Sequence, residues 1–176
     1  MKIIKTIFDD CYLIEPKVFP DSRGFFFESY NELKFSKTKF KTNFKQDNFS
    51  KSKKNVLRGL HYQKKKPQAK LFYVSDGKIL DVIVDLRKKS KTYLQYEQFI
   101  LSAANKRQIY IPPGFAHGFL VLSKTATCHY KCSNYYDPQD DGSIIWNDKT
   151  LAINWKIKKP ILSEKDAKGL QLKNII

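Results

Sequence analysis

The sequence predicts an all-β fold, a jelly-roll sandwich or barrel with a few short helices. Three observations carry this. Short runs rich in Val, Ile, Tyr and Phe recur at roughly 8–12-residue spacing. Turn residues separate them, among them Asp76-Gly77, Pro112-Pro113-Gly114 and Asp137-Pro138. Helical periodicity is confined to two short stretches.

In chain order, Asp21-Ser22-Arg23-Gly24 reads as a turn leading into the aromatic triplet Phe25-Phe26-Phe27. A helical pattern spans about residues 31–40. Gln46-Asp47-Asn48-Phe49-Ser50 alternates amide and other side chains, as a strand with one polar face would. Residues 56–63, Val-Leu-Arg-Gly-Leu-His-Tyr-Gln, form an apolar β-pattern that carries Arg58 and His61. Residues 71–74 and 79–86 flank Ser75-Asp76-Gly77-Lys78, whose Asp-Gly predicts a hairpin. Further strands are expected at 96–101, 108–111, 118–122 and 126–131. Near 163–168, Ser163 followed by Asp166 fits a helix N-cap with a carboxylate in the first turn. There is no internal repeat or linker, so residues 1–176 are assigned to one domain.

A chain of 176 residues is long enough to bury a full core. Its 14% aromatic content and seven glycines exclude a disordered or fibrous protein. The net charge of +16 raises a nucleic-acid reading, but only Arg23, Arg58, Arg87 and Arg107 among 33 basic residues are Arg. Scattered Lys marks a solvated surface, whereas bidentate phosphate recognition favours Arg. No zinc-finger or helix-turn-helix pattern supports that reading, so no nucleic-acid partner is expected. The positive field suits a small anionic substrate. Cys11, Cys128 and Cys132 form no CxxC pair and read as free thiols of a reducing compartment. No signal-peptide or membrane-spanning pattern is present, so a cytoplasmic protein without membrane association is expected.

Five segments hold polar residues that a purely structural β-domain does not need. Arg23 and Glu28 bracket the triplet containing Phe26, a cation for phosphate beside a surface on which a base can stack. Gln46 and Asn48 share a strand face, and a ligand is one source of partners for such amides. His61 belongs to the one side-chain type that can act as a base near neutrality without help; a lone strand-borne His is more often a core residue, but here it sits beside Arg58 and is followed by Lys70. A lysine entering an apolar strand there is suited to stabilising an oxyanion. His117 closes a PxGxxH turn of the kind found in cupin barrels. Tyr130, Tyr136 and Asp141 follow. The cupin His-x-His metal pair is absent, since Tyr62 and Gln63 follow His61, so no metal is expected.

Together these segments resemble the dTDP-4-dehydrorhamnose 3,5-epimerases, cofactor-independent enzymes on a cupin-type jelly roll. The resemblance runs over nearly the whole chain. It includes Asp21-Ser22-Arg23-Gly24, Gln46-Asp47-Asn48-Phe49-Ser50, Val56-Leu57-Arg58-Gly59-Leu60-His61 and Ala69-Lys70-Leu71. It continues through residues 81–87 and 111–119, Tyr130-Lys131-Cys132, Trp146-Asn147-Asp148 and Leu162-Ser163-Glu164-Lys165-Asp166. It implies His61 as general base, Asp166 as its supporting carboxylate, Tyr130 as acid on the opposite face and Lys70 as enolate stabiliser. It implies substrate contacts from Arg23, Phe26, Glu28, Gln46, Asn48, Arg58, His117, Tyr136, Asp141 and Lys165. It also implies a homodimer in which N-terminal strands pair across subunits. Asp141 stands where the family usually has Glu, which puts that contact in doubt, and Lys168-Gly169-Leu170 lacks a Pro common there. A one-carbon epimerase of a related nucleotide sugar shares these motifs; a non-catalytic sugar-nucleotide binder and a metal-dependent cupin fit them less well.

Overall fold

The computed structural model, which describes residues 1–38, 40 and 43–175, bears out the all-β expectation. Its strands are β1 (Lys2–Lys5), β2 (Tyr12–Glu15), β3 (Phe19–Asp21), β4 (Gly24–Phe26), β5 (Gln46–Lys53), β6 (Leu57–Gln63) and β7 (Lys70–Asp76). They continue with β8 (Lys78–Asp85), β9 (Tyr96–Ser102), β10 (Gln108–Ile111), β11 (Phe115–Val121), β12 (Thr125–Cys132) and β13 (Asp141–Ser143). Two short helices, α1 (Glu32–Ser36) and α2 (Glu164–Ala167), complete the set with a 3-10 turn at Leu172–Asn174.

The strands form a six-stranded sheet in the order β1-β2-β10-β7-β12-β5 and a five-stranded sheet in the order β13-β6-β11-β8-β9. β3 and β4 make a separate hairpin. Side chains from both large sheets, including Phe72, Ile83, Leu101, Ile109 and Phe119, fill the space between them. The outer face of the five-stranded sheet is covered by the C-terminal segment, with Leu151, Trp155 and Leu172 against Leu57, Leu80, Val82 and Val84. Phe35 and Phe40 cover the other sheet at Tyr12, Leu71 and Tyr110. β8 therefore has apolar neighbours on both faces, which explains its near-continuous apolar run.

Asp76-Gly77 does not close a hairpin, contrary to the expectation above. β7 pairs with β10 and β12, and β8 pairs with β11 and β9. The turn carries the chain from one sheet to the other. An Asp-Gly step specifies a tight reversal, not which strand lies alongside. Gly77 is required there: its φ is +78°, and a Cβ would lie 2.0 Å from the Thr125 carbonyl oxygen. The helix expected over 31–40 is shorter, ending at Ser36, and position 39 lies outside the described residues. Asn31 caps it by accepting from the Lys34 backbone N–H at 3.1 Å. Ser163 caps α2 as expected, accepting from the Asp166 N–H at 3.1 Å.

Two buried carboxylates hold the frame. Asp148 accepts from the N–H groups of Thr150, Leu151 and Leu172, tying the C-terminal segment to itself. Asp85, fully buried, accepts from Arg87 Nε at 2.8 Å and from Thr92 Oγ1 at 2.7 Å. Arg87 also reaches Asp10 at 2.7 Å and lies over the Phe115 ring. Burial by itself would raise the Asp85 pKa, but these hydrogen bonds prevail and hold it at about 2.

The shift of Asp85 below its ordinary 3.8 corresponds to about 2 kcal/mol of folding stability. That contribution is complete above pH 3.8 and is lost as pH falls through about 2. Asp85→Asn is expected to cost about 3 kcal/mol in urea unfolding at pH 7, because it leaves Arg87 without its buried partner. The deficit should narrow below pH 3.

Candidate active site

The site lies between the two large sheets, and each sheet contributes one side of it. On the five-stranded side, His61 of β6 stands directly opposite His117 of β11 in the ladder. The two strands approach closely because Gly59 and Gly118 meet there. A Cβ on Gly59 would lie 2.5 Å from the Gly118 Cα. The register shifts at this point, between His117 and Phe119.

His61 Nε2 lies 2.5 Å from Asp166 Oδ1. Asp166 is only 3% exposed, and α2 delivers it to β6. Its Oδ2 accepts from Ser163 Oγ at 2.8 Å, and the Gly59 N–H points at Oδ1 from 3.4 Å. Burial raises the Asp166 pKa, but the hydrogen bonds from His61, Ser163 and Gly59 outweigh it, so the net shift is downward and the group is a carboxylate. A carboxylate only accepts, so Nε2 of His61 carries the hydrogen in this pair, and in the neutral imidazole the lone pair is then on Nδ1.

The six-stranded sheet supplies Tyr130 from β12 and Lys70 from the start of β7. Tyr130 stacks on Phe72 with ring centroids 5.5 Å apart. Burial pushes its phenol pKa up, so it holds its proton at neutral pH and can donate. Lys70 lies opposite Cys132 in the ladder. Burial pushes its pKa down, while Cys132, Asp141 and Asp81 act in the other direction. His61, Lys70 and Tyr130 line both a cavity of about 310 Å³ and an adjoining one of about 160 Å³.

The larger cavity also takes in Gln46, Asn48, Tyr136, Asp141 and Lys165. Gln46 Nε2 donates to Asn48 Oδ1 at 2.9 Å, and Gln46 Oε1 accepts from the Tyr136 N–H at 2.8 Å. Asp141 is ion-paired with Lys165 and accepts from Tyr136 Oη at 2.7 Å. That hydrogen bond, aided by burial, raises the Tyr136 pKa to about 12. Arg58 and His117 line the smaller cavity. Arg58 Nε donates to Ser52 Oγ at 2.9 Å, and His117 Nε2 lies 2.7 Å from Asp81 Oδ1.

Three expected site residues are not brought into this cleft by their own chain. Arg23 pairs with Asp21 at 2.7 Å on the β3–β4 hairpin, and Phe26 is 65% exposed there. Glu28 bonds to Asn31 and Lys34 and lines a separate cavity. Sequence reasoning missed Asp81 and Gln63 as parts of the site. Asp81 had a signal, a carboxylate inside the apolar run of β8. Gln63, 8% exposed, binds the Lys66 and Tyr135 carbonyls and the Asp137 N–H, joining the two loops that form the rim. Among the described residues no group of three or more His, Cys, Asp and Glu side chains is placed to hold a metal ion.

The arrangement puts a base and a protonated phenol on opposite sides of one cavity, with an ammonium group on its wall. Such a set can remove a proton from one face of a carbon and return one to the other, while stabilising an intervening oxyanion.

Comparison with known proteins agrees with this chemistry. The family model described as dTDP-4-dehydrorhamnose 3,5-epimerase matches residues 5–174. The dTDP-4-dehydrorhamnose 3,5-epimerase of Salmonella typhimurium is 53% identical over 170 residues, covering 95% of this chain and 93% of that protein. The crystal structure of the enzyme of that name from Elizabethkingia anophelis is 52% identical with a TM-score of 0.93, covering 99% and 97% of the two chains. The Legionella pneumophila dTDP-6-deoxy-D-glucose-3,5-epimerase, solved in complex with dTDP-4-keto-L-rhamnose, is 47% identical with a TM-score of 0.96, covering 99% and 94%.

The His61–Asp166 pair has a signature that does not depend on turnover. In His61→Ala, burial of Asp166 is no longer offset by its main hydrogen bond. Its carboxyl pKa, followed by carbon-13 NMR, is expected to rise from below the ordinary aspartate value to above it. An unchanged titration would mean that the pair is not formed in solution.

Proposed function

The chain belongs to the dTDP-4-dehydrorhamnose 3,5-epimerase family, and on that premise we propose that it inverts C3 and C5 of dTDP-4-dehydro-6-deoxy-D-glucose, giving dTDP-4-dehydro-L-rhamnose. The observation that carries this reading is that His61 and Tyr130 reach one cavity from opposed sheets, with Lys70 on the same wall.

The C4 ketone acidifies the C–H bonds at both C3 and C5. His61 takes the proton from one of these carbons, and the released electron pair forms a C=C bond to C4 as the carbonyl oxygen becomes an enolate. The Lys70 ammonium faces charge that exists only at this stage, which lowers the barrier rather than merely tightening ground-state binding. The enolate collapses, and the carbon takes a proton from the Tyr130 phenol on the other face. Solvent then restores the proton to Tyr130 and removes the one on His61. Electrons balance without an oxidant or reductant, so the chemistry calls for no redox cofactor. Asp166 supports the charged imidazole, and its buried position fixes the tautomer.

Substrate binding is assigned to the residues around this centre. Gln46, Asn48, Tyr136, Asp141 and Lys165 lie on one side of it, and Arg58 and His117 on the other. Arg23, Phe26 and Glu28 complete the set by reaching a partner's cleft in a homodimer whose N-terminal strands pair across subunits. Support comes from β1, which among the described residues pairs only with β2 and so leaves one edge open, and from the hairpin, where Phe19, Phe25 and Phe26 are all exposed. Cys11, Cys128 and Cys132 are free thiols, and among the described residues no helix is long and apolar enough to cross a membrane. Both fit an enzyme of the reducing cytoplasm.

Incubation with dTDP-4-keto-6-deoxyglucose in D2O should introduce deuterium at both C3 and C5, read by NMR. Label at one carbon would identify a one-carbon epimerase, and none would overturn the proposal. His61→Ala should lower kcat by about 10³-fold. Tyr130→Phe should still exchange protons while losing inverted product. Light scattering at micromolar concentration should give a dimer mass, and Phe26→Ala should raise KM several-fold; a monomer with full activity would exclude the shared site.

A further inference from the structure

Lysines scattered through the sequence are not all scattered in space. Three turns at one end of the sandwich carry Lys53 and Lys54, Lys78, and Lys124, and hydrogen bonds hold these turns side by side. The Lys54 N–H donates to the Lys124 carbonyl and the Leu122 N–H to the Lys78 carbonyl, both at 2.9 Å. The Lys78 N–H donates to Ser123 Oγ at 2.7 Å. A fourth segment joins them. The Ile161 N–H donates to the Asn55 carbonyl at 2.8 Å and the Leu57 N–H to the Ile161 carbonyl at 3.0 Å, which brings Lys158 and Lys159 to the same end. All six lysines are exposed.

None of the six forms an ion pair among the described residues. The carboxylate within these segments is Asp76, which accepts from Thr125 Oγ1 at 3.2 Å. Glu164, three residues beyond Ile161, faces Lys168 at 3.9 Å. Elsewhere on the surface Lys34, Lys66, Lys131 and Lys165 each meet a carboxylate. Crowded like charges repel, so an end with so little counter-charge suits an external polyanion.

The chemistry of these segments selects among polyanions. They contain no Arg and no aromatic residue, so they offer neither bidentate phosphate clamps nor a platform for bases. Lysine is a hydrated point charge on a flexible stem, suited to a fluid layer of phosphate headgroups. Ile161, 43% exposed, adds an apolar contact among the lysines. The location leaves the chemistry undisturbed. Gln46, Lys70 and Cys132, which line the larger cavity, stand at the opposite ends of β5, β7 and β12 from these turns. Along β5 that separation is roughly 25 Å of strand.

We propose that this end is a docking surface for a bilayer of anionic phospholipid, onto which the protein adsorbs through its lysines with the larger cavity at the far end. Among the described residues no helix is long and apolar enough to cross a membrane, and adsorption requires none. The docking is electrostatic and reversible, and it does not depend on which nucleotide sugar the cleft binds.

The test is co-sedimentation of the full chain with vesicles holding about one-third phosphatidylglycerol in phosphatidylcholine, beside vesicles of phosphatidylcholine alone. Wild type is expected to bind the anionic vesicles at about 0.05 M salt, to leave them at about 0.5 M, and not to bind the neutral ones. The triple variant Lys54→Gln, Lys78→Gln, Lys124→Gln removes one lysine from each turn. It should bind about 100-fold more weakly, because each lysine at an anionic surface contributes roughly fivefold. The triple variant Lys88→Gln, Lys89→Gln, Lys91→Gln removes the same charge from the loop at the other end of β8. It should bind within about threefold of wild type, since those charges lie beyond a screening length from the bilayer. Both variants should unfold at the wild-type temperature and keep the wild-type KM. Equal loss in the two variants would mean that net charge alone acts and would overturn the proposal, as would a wild type that does not sediment with anionic vesicles. A raised KM in the first variant with unchanged vesicle binding would make these lysines a steering field for substrate instead. Tighter wild-type binding to duplex DNA than to anionic vesicles, lost in the first variant, would assign this end to nucleic acid and likewise reject the bilayer.

Discussion

The carboxylate of Asp166 is the point on which the rest of the site depends. It is almost fully buried, and a buried charge is tolerated only when its oxygens are well supplied with donors. Those donors come from separate parts of the chain: His61 and Gly59 on β6, and Ser163 at the start of α2. One interaction therefore fixes the imidazole, seats the C-terminal segment on the five-stranded sheet and chooses the nitrogen that keeps a lone pair. The cost of burial is met by bonds that also set up the chemistry.

The second constraint comes from the sandwich itself. Two sheets packed face to face direct side chains toward each other across the space between them. A base on one and a phenol on the other can approach a planar intermediate from opposite faces, as the proposed function requires, without any specialised loop. Loops matter at the rim instead, where Gln63 joins two of them and the Asp141–Lys165 pair closes one side. The proposed base, acid and oxyanion stabiliser sit on rigid strands, which suits proton transfer at fixed positions, and most of the proposed substrate contacts share those strands.

Much of this was legible in the sequence, for identifiable reasons. The strands from Gln46 to Cys132 announce themselves through β-branched runs, and Ser163 with Asp166 announces α2. His61, Lys70 and Tyr130 stand out as polar residues in apolar β-segments. The partner of each strand was not legible. Asp76-Gly77 has the chemistry of a hairpin turn, yet it joins two sheets, because pairing is decided by distant strands rather than by the turn. Asp81 is a carboxylate inside the apolar run of β8, and its contact with His117 gives it a reason. Arg23, Phe26 and Glu28 could be named from motif but not placed, since a single chain holds them away from its own cleft.

Gly59 and Gly118 have a consequence for how this protein can vary. Neither has a side chain, neither can touch a ligand through one, and both hold β6 and β11 close enough for the two histidine-bearing strands to share a wall. A survey that trims side chains one at a time would pass over them as blank positions. Yet adding a single methyl group at Gly59 would wedge the two backbones apart and carry His61 away from its partner across the cleft. A tight tolerance of the cleft is thus set by what is missing, and any redesign of the cleft inherits that spacing as a fixed dimension.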